Sequence, residues 1–358
     1  MTPYLLLFIF VLSVSTLLSV PGVHQKPAWL FVWLVLVLFA GLRNVGVDRD
    51  SYNYFYAYYL EAKHFADYLS GMRMVGEPAA VLLASFVKYG LSSGFSLFLL
   101  IFALIGVGLK LLCIRKVSPF PALSIALYLG SYYLIQEMTQ IRAGVATGFG
   151  LLSMYQLSRG NRRGAVFFSL LATAFHFSAL AFLPVALLFS NDRLNRRGYL
   201  ALLLIGAATT FLHFNFVRLI VSVLFARLDP RISTYVQMSP TQHVEVLNPV
   251  FWMKAVICAV AVVKIENLKK RWPISVILVK CYCMSFFAFG LLSAIPAAAL
   301  RLRELFGVVD ILLIPMVVAA FREKMLVRLG LVAFAIVSFL LYIFYVRLFE
   351  PYQVFSLG

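Results

Sequence analysis

Carboxylates, arginines and tyrosines are concentrated in one polar stretch near the N-terminus, residues 43–78. Its first part contains Arg43, Asp48, Asp50 and Tyr52. A positioned carboxylate can remove a proton from a hydroxyl nucleophile, and carboxylate oxygens can also bind a divalent cation. Asp48 and Asp50 are therefore candidate general bases, and local ion pairing with the neighbouring arginines is the simpler alternative.

The same stretch predicts an aromatic helix. Asp50 or Ser51 can cap a helix that runs to about Leu69, and Tyr52, Tyr56 and Tyr59 then share one of its faces because they are spaced four and three residues apart. That face predicts either an aromatic belt at a membrane surface or a platform on which sugar rings stack. The stretch ends with a third candidate acid, Glu77, whose neighbour Pro78 suits the first turn of the next helix.

Candidate anion-binding and titratable groups occur later in the chain. Arg142 starts an apolar run, and the N–H groups at a helix N-terminus attract anions. Its guanidinium could bind a pyrophosphate through two hydrogen bonds, the alternative being an ion pair with Glu137. Arg301 and Arg303 form a second candidate clamp or a solvated loop. His176 lies in an apolar setting between two basic clusters, which makes it a functional candidate, the alternative being a purely structural histidine.

The composition predicts a membrane protein. Of the 358 residues, 63% are hydrophobic and only 13% are charged, whereas a soluble domain carries about 25% charged residues. We therefore predict an all-α, polytopic integral membrane protein in which residues 1–358 form a single transmembrane domain with about ten to twelve transmembrane or re-entrant helices. The candidate spans are 4–20, 28–42, 93–114, 121–135, 142–158, 199–225, 250–264, 274–299, 305–320 and 329–346.

The distribution of the +17 net charge predicts the topology. Basic loops mark the cytoplasmic side, which leaves two main external segments at about 43–78 and 227–249. Residues 164–190 lie between two basic clusters and are too few for two full crossings. They predict a re-entrant pair of short helices that meet near residues 175–178, the alternative being two short, tightly turned helices that do cross.

Several common functions have no support in the sequence. It contains no Walker motif, dinucleotide-binding fingerprint, HExxH or GxSxG motif, so coupling to a nucleotide is not visible. The four cysteines lie in apolar runs and lack the spacing of a zinc site. Because most of the positive charge lies in short loops between apolar runs, where it indicates topology, we expect no nucleic-acid partner.

Five short motifs follow one another in an order that resembles a known family. They are Gly41-Leu-Arg43 with Gly46, Asp48 and Tyr52; Glu77-Pro78; Arg142 followed by small residues; Phe175-His176-Phe177-Ser178; and Arg301 before an apolar helix. Together they cover about residues 28–320 and resemble the EpsG-like proteins, which are exopolysaccharide and O-antigen polymerases of the Wzy type. Ala143 departs from the family pattern, which has Gln at that position, so a role for that Gln is removed here.

The resemblance implies a C-type glycosyltransferase-like fold and a lipid-linked substrate. Such enzymes transfer an oligosaccharide from undecaprenyl pyrophosphate onto another lipid-linked repeat unit, at the periplasmic face of the bacterial inner (cytoplasmic) membrane. The expected partners are therefore the undecaprenyl-pyrophosphate-linked donor and acceptor and the lipid bilayer, with a chain-length regulator as a further candidate. No cofactor is expected, and nothing supports the divalent metal that the acids could hold.

The resemblance and the chemistry of pyrophosphate departure together suggest roles for the candidate residues. Asp48 is the expected base, with Asp50 or Glu77 as its rival. Arg43 would orient the aspartates, and Tyr52 would contact substrate. Preorganised arginines stabilise the charge that develops on the leaving group. The three expected to hold pyrophosphate are Arg142, Arg301 and Arg303, and His176 would line the cavity.

Two other functions remain compatible with the sequence. An O-antigen ligase uses the same donor, but it usually has one large external loop, which this chain lacks. A flippase or secondary transporter for the lipid-linked oligosaccharide should have repeated halves and charges deep in a central cavity. No internal repeat is visible here, and the charges gather at one predicted face.

Overall fold

The computed structural model is helical and divides into two compact units. Within the described residues the extended structure consists of two isolated antiparallel bridges, Arg43 with Val354 and Asp48 with Phe349. Unit 1 comprises Met1–Leu187 and Phe321–Gly358, and unit 2 comprises Leu188–Ala320. The described residues are 1–19, 25–74, 76–190, 195–212, 249–321 and 324–354. Of the predicted external segment 227–249, residues 227–248 lie outside them.

The helices have the following bounds. The first ten are α1 Thr2–Thr16, α2 Gln25–Gly41, α3 Ser51–Asn53, α4 Phe65–Leu69, α5 Pro78–Ser85, α6 Phe95–Val117, α7 Pro121–Tyr128, α8 Ile141–Ser158, α9 Arg162–Phe175 and α10 Phe182–Leu188. The next seven are α11 Arg196–Leu212, α12 Pro249–Val263, α13 Ile265–Arg271, α14 Ser275–Leu291, α15 Pro296–Gly307, α16 Asp310–Ala319 and α17 Lys324–Leu340. Wider π-helical turns extend α3, α5, α7 and α17 to Leu60, Gly90, Thr139 and Tyr345.

The lengths and surfaces of these helices are compatible with a membrane protein. Among the described helices, Phe95–Val117 and Met325–Tyr345 are long and apolar enough to cross a bilayer, and seven further apolar helices have 10–17 residues. In Met325–Tyr345 only 22% of the apolar window is buried inside the protein. Residues such as Met325, Leu326 and Leu329 face outwards on it, and lipid is the medium that can cover such a surface.

The helix that continues α7 forms the centre of unit 1. Every residue from 123 to 139 is buried. Gly130 allows α17 to approach closely, because a Cβ at Gly130 would overlap the backbone of Ala335. The helix ends at Gln140, whose backbone is not helical (φ −98°, ψ 55°), and α8 begins at the next residue. This break at Gln140 gives Arg142 its position at the start of α8.

Residues 162–187 form a helical hairpin within unit 1. Helix α9 ends before His176, which has an extended backbone, and α10 returns so that Arg162 donates hydrogen bonds to the carbonyl groups of Ala186 and Leu187. Ser169, in the middle of α9, donates to the Phe182 carbonyl at 3.3 Å. The segment 164–190 therefore contains two short helices that meet at the predicted residues, and their depth in the bilayer stays a prediction.

Two other elements differ from their predicted form. The helix expected from Ser51 to Leu69 ends at Leu60 and resumes at Phe65 as α4. Glu137, which lies beyond the end of the predicted span 121–135, is 2% exposed inside the helix that continues α7. Its carboxylate is buried there because a lysine of α6 pairs with it, as described below.

Unit 2 packs α11 against α14 through two glycines. A Cβ added to Gly290 would overlap the carbonyl oxygen of Gly206, so the helices touch backbone to backbone. Small residues allow this close packing in membrane helices, where dispersion contacts replace much of the hydrophobic driving force. Unit 2 also contains an ion pair between two helices, in which Lys254 Nζ donates to Asp310 Oδ2 at 2.6 Å.

We predict that Gly290→Ala destabilises the protein by about 1–3 kcal/mol, because the added methyl forces the two backbones apart. The measurement is the melting temperature in detergent, compared with wild type. Gly330→Ala is the matched control, since a Cβ at Gly330 meets nothing within 4 Å. Equal melting temperatures for the two variants would contradict the close packing of α11 and α14.

Candidate functional site

The loop after α2 contains a sealed ion pair. Arg43 Nε donates to Asp48 Oδ2 at 2.7 Å, and both side chains have no exposed surface. The other Asp48 oxygen, Oδ1, accepts the backbone N–H of Asp50 at 3.0 Å. Arg43 also donates to the carbonyl groups of Ala40 and Met138. The pair therefore fixes the loop from within, and both carboxylate oxygens of Asp48 are occupied.

A C-terminal strap, residues 346–354, holds this loop from outside. The backbone N–H of Asn44 donates to the Gln353 carbonyl at 2.9 Å, and that of Glu350 donates to the Val47 carbonyl at 3.0 Å. The Tyr352 hydroxyl donates to the carbonyl of Phe39, at the end of α2, at 2.9 Å. Residues more than 300 positions apart in sequence are thus joined, and these hydrogen bonds hold the loop against the end of the chain.

The Glu77 carboxylate is the centre of a second polar group, which we call the Glu77 cluster: Tyr58, Glu77, Arg142 and His176. Glu77 Oε2 accepts hydrogen bonds from the Tyr58 hydroxyl at 2.7 Å and from Arg142 Nη1. Glu77 Oε1 lies 3.4 Å from His176 Nδ1. The Glu77 side chain is 2% exposed, whereas those of Arg142 and His176 are 15% and 14% exposed. Arg142 and His176 therefore reach the surface, whereas the Glu77 carboxylate does not.

Local sequence explains why each member stands where it does. Gly76 has φ +120°, a backbone conformation that favours glycine. A Cβ at this position would lie 2.9 Å from the Tyr58 ring, so the absence of a side chain lets the backbone pass close to that ring. Pro78 begins α5 and leaves Glu77 in an extended conformation before it. The breaks at Gln140 and His176 place Arg142 and His176 at helix ends.

Burial and charge act in opposite directions on these groups. Burial alone would raise the pKa of the Glu77 carboxyl, but the hydrogen bond from His176 and the charge of Arg142 outweigh it and hold the pKa well below the ordinary value. Burial raises the pKa of Tyr54 to about 12 although Arg142 opposes the shift. Burial likewise raises the pKa of the Tyr58 hydroxyl. Glu77 is therefore ionised and the tyrosines are neutral near pH 7.

Tyr54 connects the loop after α2 with the Glu77 cluster. Its N–H donates to the Asp50 carbonyl at 3.1 Å, and its ring centre lies 5.5 Å from the Arg142 guanidinium carbon. The Tyr58 ring lies at 4.8 Å from the same carbon, so two aromatic faces support the cation. Of the predicted site residues, Arg142 and His176 both contact Glu77, whereas Arg43 and Asp50 contact Asp48 in the loop after α2.

The predicted tyrosine face separates into two parts. The rings of Tyr52 and Tyr56 are stacked with centroids 6.5 Å apart and are 54% and 57% exposed. Gly46, at φ +91°, lies against the Tyr52 hydroxyl. Tyr59 instead turns inwards and donates to the Ser93 carbonyl at 2.5 Å. The exposed platform therefore has two rings, on a different helix face from Tyr54 and Tyr58.

Arg301 and Arg303 lie within unit 2, inside helix α15. Residues two apart on a helix point in different directions. Arg301 is exposed, whereas the Arg303 guanidinium carbon lies 5.2 Å from the ring centre of Phe289 and 5.8 Å from that of Phe251. The helix thus does not present the two guanidinium groups as one clamp, and the expected roles of both in binding phosphate stay predictions.

Sequence reasoning missed Tyr54, Tyr58 and Lys110. Lys110 Nζ donates to Glu137 Oε1 at 2.5 Å, and neither side chain is more than 1% exposed. The available signal was a lone lysine well inside the apolar run 93–114. In the described part of the chain, no group of three or more His, Cys, Asp or Glu side chains is arranged to hold a metal ion.

Comparison with known proteins gives one match. The model of the EpsG family matches residues 27–356, which is nearly the whole chain and includes the loop after α2, the Glu77 cluster and the C-terminal strap. No curated protein matches the chain, and no solved structure does so either.

We predict that the Glu77 cluster stabilises the fold in a pH-dependent way. A carboxyl whose pKa is lowered on folding contributes stability that is present above its unfolded pKa and lost as the pH falls through the folded value. This contribution should therefore decline below an ordinary value of 4.5. Glu77→Gln should lower the free energy of unfolding by about 1–3 kcal/mol at neutral pH and reduce its loss in acid.

The measurement is a series of unfolding midpoints in detergent between about pH 7 and about pH 3. Glu61→Gln is the control, because the Glu61 side chain is 74% exposed and pairs only at 4.0 Å with Lys63. If both variants keep the wild-type pH dependence, Glu77 does not carry the proposed charge interaction.

Proposed function

Because the chain belongs to the EpsG family, we propose that it is a polysaccharide polymerase that uses undecaprenyl-pyrophosphate-linked glycans as donor and acceptor. Membership of the family gives it a broadly polymerase-type, glycosyltransferase-like role in polysaccharide synthesis. The specific proposal is transfer of the donor glycan to a second lipid-linked repeat unit. The single observation that carries it is the contact of Glu77 with both Arg142 and His176.

The proposed location is the bacterial inner membrane, with several spans, a C-type glycosyltransferase-like fold and the Glu77 cluster facing the periplasm. Helix α8 supports this orientation, because Arg142 is near its start and the basic group Arg159, Arg162 and Arg163 follows its end. Eighteen residues extend for about 27 Å, close to the thickness of the hydrocarbon core. Basic groups mark the cytoplasmic end of such a helix.

Arg142 is the proposed pyrophosphate ligand. It combines a partly exposed guanidinium with a position at the start of a helix, where backbone N–H groups add to the attraction for anions. During transfer, the acceptor oxygen bonds to the anomeric carbon as the bond from that carbon to the pyrophosphate breaks. Negative charge grows on the leaving undecaprenyl pyrophosphate, and a fixed cation stabilises it most in the transition state.

His176 is the proposed base for the acceptor hydroxyl. Its Nδ1 faces the Glu77 carboxylate, an arrangement in which the acid orients the ring and Nε2 takes the proton. Asp48 suits this role less, because its side chain is sealed and both its oxygens are bound. Glu77 itself is held ionised by Arg142 and His176, which lower its pKa and make it a weak base. We therefore assign Asp48 and Arg43 to shaping the loop, with Asp50 beside them and Tyr52 on the acceptor side.

We predict that Arg142→Ala lowers the rate of chain growth about 100-fold or more, as loss of one oxyanion-stabilising donor does in other enzymes. The assay uses purified protein in liposomes with undecaprenyl-pyrophosphate oligosaccharide, and product lengths are read as a ladder. Arg159→Ala at the other end of α8 is the control and should polymerise normally, because Arg159 is exposed.

The same assay separates the competing functions. A ligase would give a single addition to its own acceptor and no ladder, and a flippase would move the substrate across the liposome without lengthening it. Folded wild-type protein that yields no ladder would refute the polymerase, and normal ladders from Arg142→Ala would remove Arg142 from the mechanism.

We predict that His176→Ala loses about 100-fold to 10,000-fold in rate, the range for a general base, and that added imidazole restores part of it. His64→Ala is the control, since His64 is exposed and stacks on Tyr89. Rates are measured on the same ladder. Normal chain growth in His176→Ala, together with inactive but folded Asp48→Asn, would transfer the role of base to Asp48.

A further inference from the structure

Lys110 places a cation inside the longest described helix of unit 1. It lies on α6, which is apolar on every side of it, and its side chain has no exposed surface. Its Nζ donates to Glu137 Oε1 at 2.5 Å and to the carbonyl oxygen of Gly144 at 2.6 Å. The ring centre of Tyr128 lies 5.8 Å away on another side. Three contacts thus hold one ammonium group.

A buried ion pair of this kind needs a reason other than stability. Removing two charges from water costs about as much as their attraction returns, so apolar residues of similar size often stabilise a protein at least as well. Charged residues within membrane helices are correspondingly rare and mostly functional. Lys110 and Glu137 do not reach the surface, so they act on substrate only through other residues.

The protein is shaped around the Glu137 carboxylate. A Cβ on Gly106 would overlap Glu137 Oε2, and a Cβ on Gly144 would come within 3.1 Å of the same oxygen. A Cβ on Gly144 would also overlap the Gln136 carbonyl. Two helices therefore have glycine where the carboxylate fits, and its position is fixed by packing as well as by charge.

The contacts of Lys110 lie on both sides of the helix break at Gln140. Glu137 belongs to the helix that continues α7, and Gly144 belongs to the first turn of α8. Arg142 stands between these two contacts. One ammonium group thus ties the end of one helix to the start of the next, and the tied segment carries the guanidinium that contacts Glu77.

We infer that Lys110 is a positioning residue for Arg142, acting through Glu137 and the Gly144 carbonyl. The inference rests on the proposed function, in which Arg142 binds the pyrophosphate group. Lys110 sets the angle between the two helices at the break, and that angle sets where the guanidinium meets the anion. A misplacement of about 1 Å in such a group can cost on the order of 100-fold in rate.

The test uses a variant in which neither charge is stranded. Lys110→Met alone leaves the Glu137 carboxylate buried without its cation, so it is combined with Glu137→Gln. We expect this neutral double variant to keep its melting temperature within a few degrees. Its Kd for undecaprenyl pyrophosphate should rise about 10-fold to 100-fold, and its kcat/KM for the lipid-linked donor should fall by a similar factor. Lys116→Met, an exposed lysine at the end of α6, is the control.

A cycle with Arg142→Ala distinguishes positioning from a general structural role. If Lys110 acts through Arg142, the neutral double variant should weaken pyrophosphate binding no further once Arg142 is absent. Additive losses, wild-type binding by the neutral variant, or failure of that variant to fold would each overturn the inference. Unchanged binding in Arg142→Ala itself would instead refute the proposed function, so the two failures are separate.

Discussion

The Glu77 carboxylate is the interaction on which the candidate site depends. This buried anion accepts hydrogen bonds from Tyr58 and Arg142 and contacts His176. These partners come from the turns after α3, the start of α8 and the tip of the α9–α10 hairpin. In an interior where charges are poorly screened, an unpaired carboxylate would be costly. The fold therefore brings three distant segments to one point, and this convergence creates the site.

The same requirement links the other buried charges of unit 1 to the break at Gln140. Arg43 donates to the Met138 carbonyl just before the break, and Lys110 holds Glu137 and Gly144 on either side of it. Each cation satisfies an anion and also a carbonyl group near the break. Carbonyl groups at the end of an interrupted helix need partners in an apolar interior, and Arg43 supplies one to the Met138 carbonyl. The break and the charges thus stabilise each other.

Sequence reasoning found most of the helices because long apolar runs have few alternatives. It located the hairpin tip near His176 because the basic clusters on either side left too few residues for two crossings. It could not identify the partner of Arg142, since Glu77 is 65 positions away, and the nearer Glu137 was the natural candidate. Glu137 pairs with Lys110 instead, and a lone lysine within an apolar run does not reveal which acid it meets.

Burial also explains why the two arginine–carboxylate pairs differ in their accessibility to a ligand. The Arg43–Asp48 pair has no exposed surface, so neither group can exchange its partner for a substrate without opening the loop that the C-terminal strap holds. In the Glu77 cluster the anion is sealed, whereas the side chains of Arg142 and His176 are 15% and 14% exposed. The inner side of Arg142 contacts the buried Glu77 carboxylate and two tyrosine rings, so its outer side can bind an anion while these contacts are kept. Both the sealed ion pair and the Glu77 cluster combine an arginine with a buried carboxylate. They differ in the exposure of the arginine: the buried Arg43 can only shape the loop, whereas the partly exposed Arg142 can bind substrate.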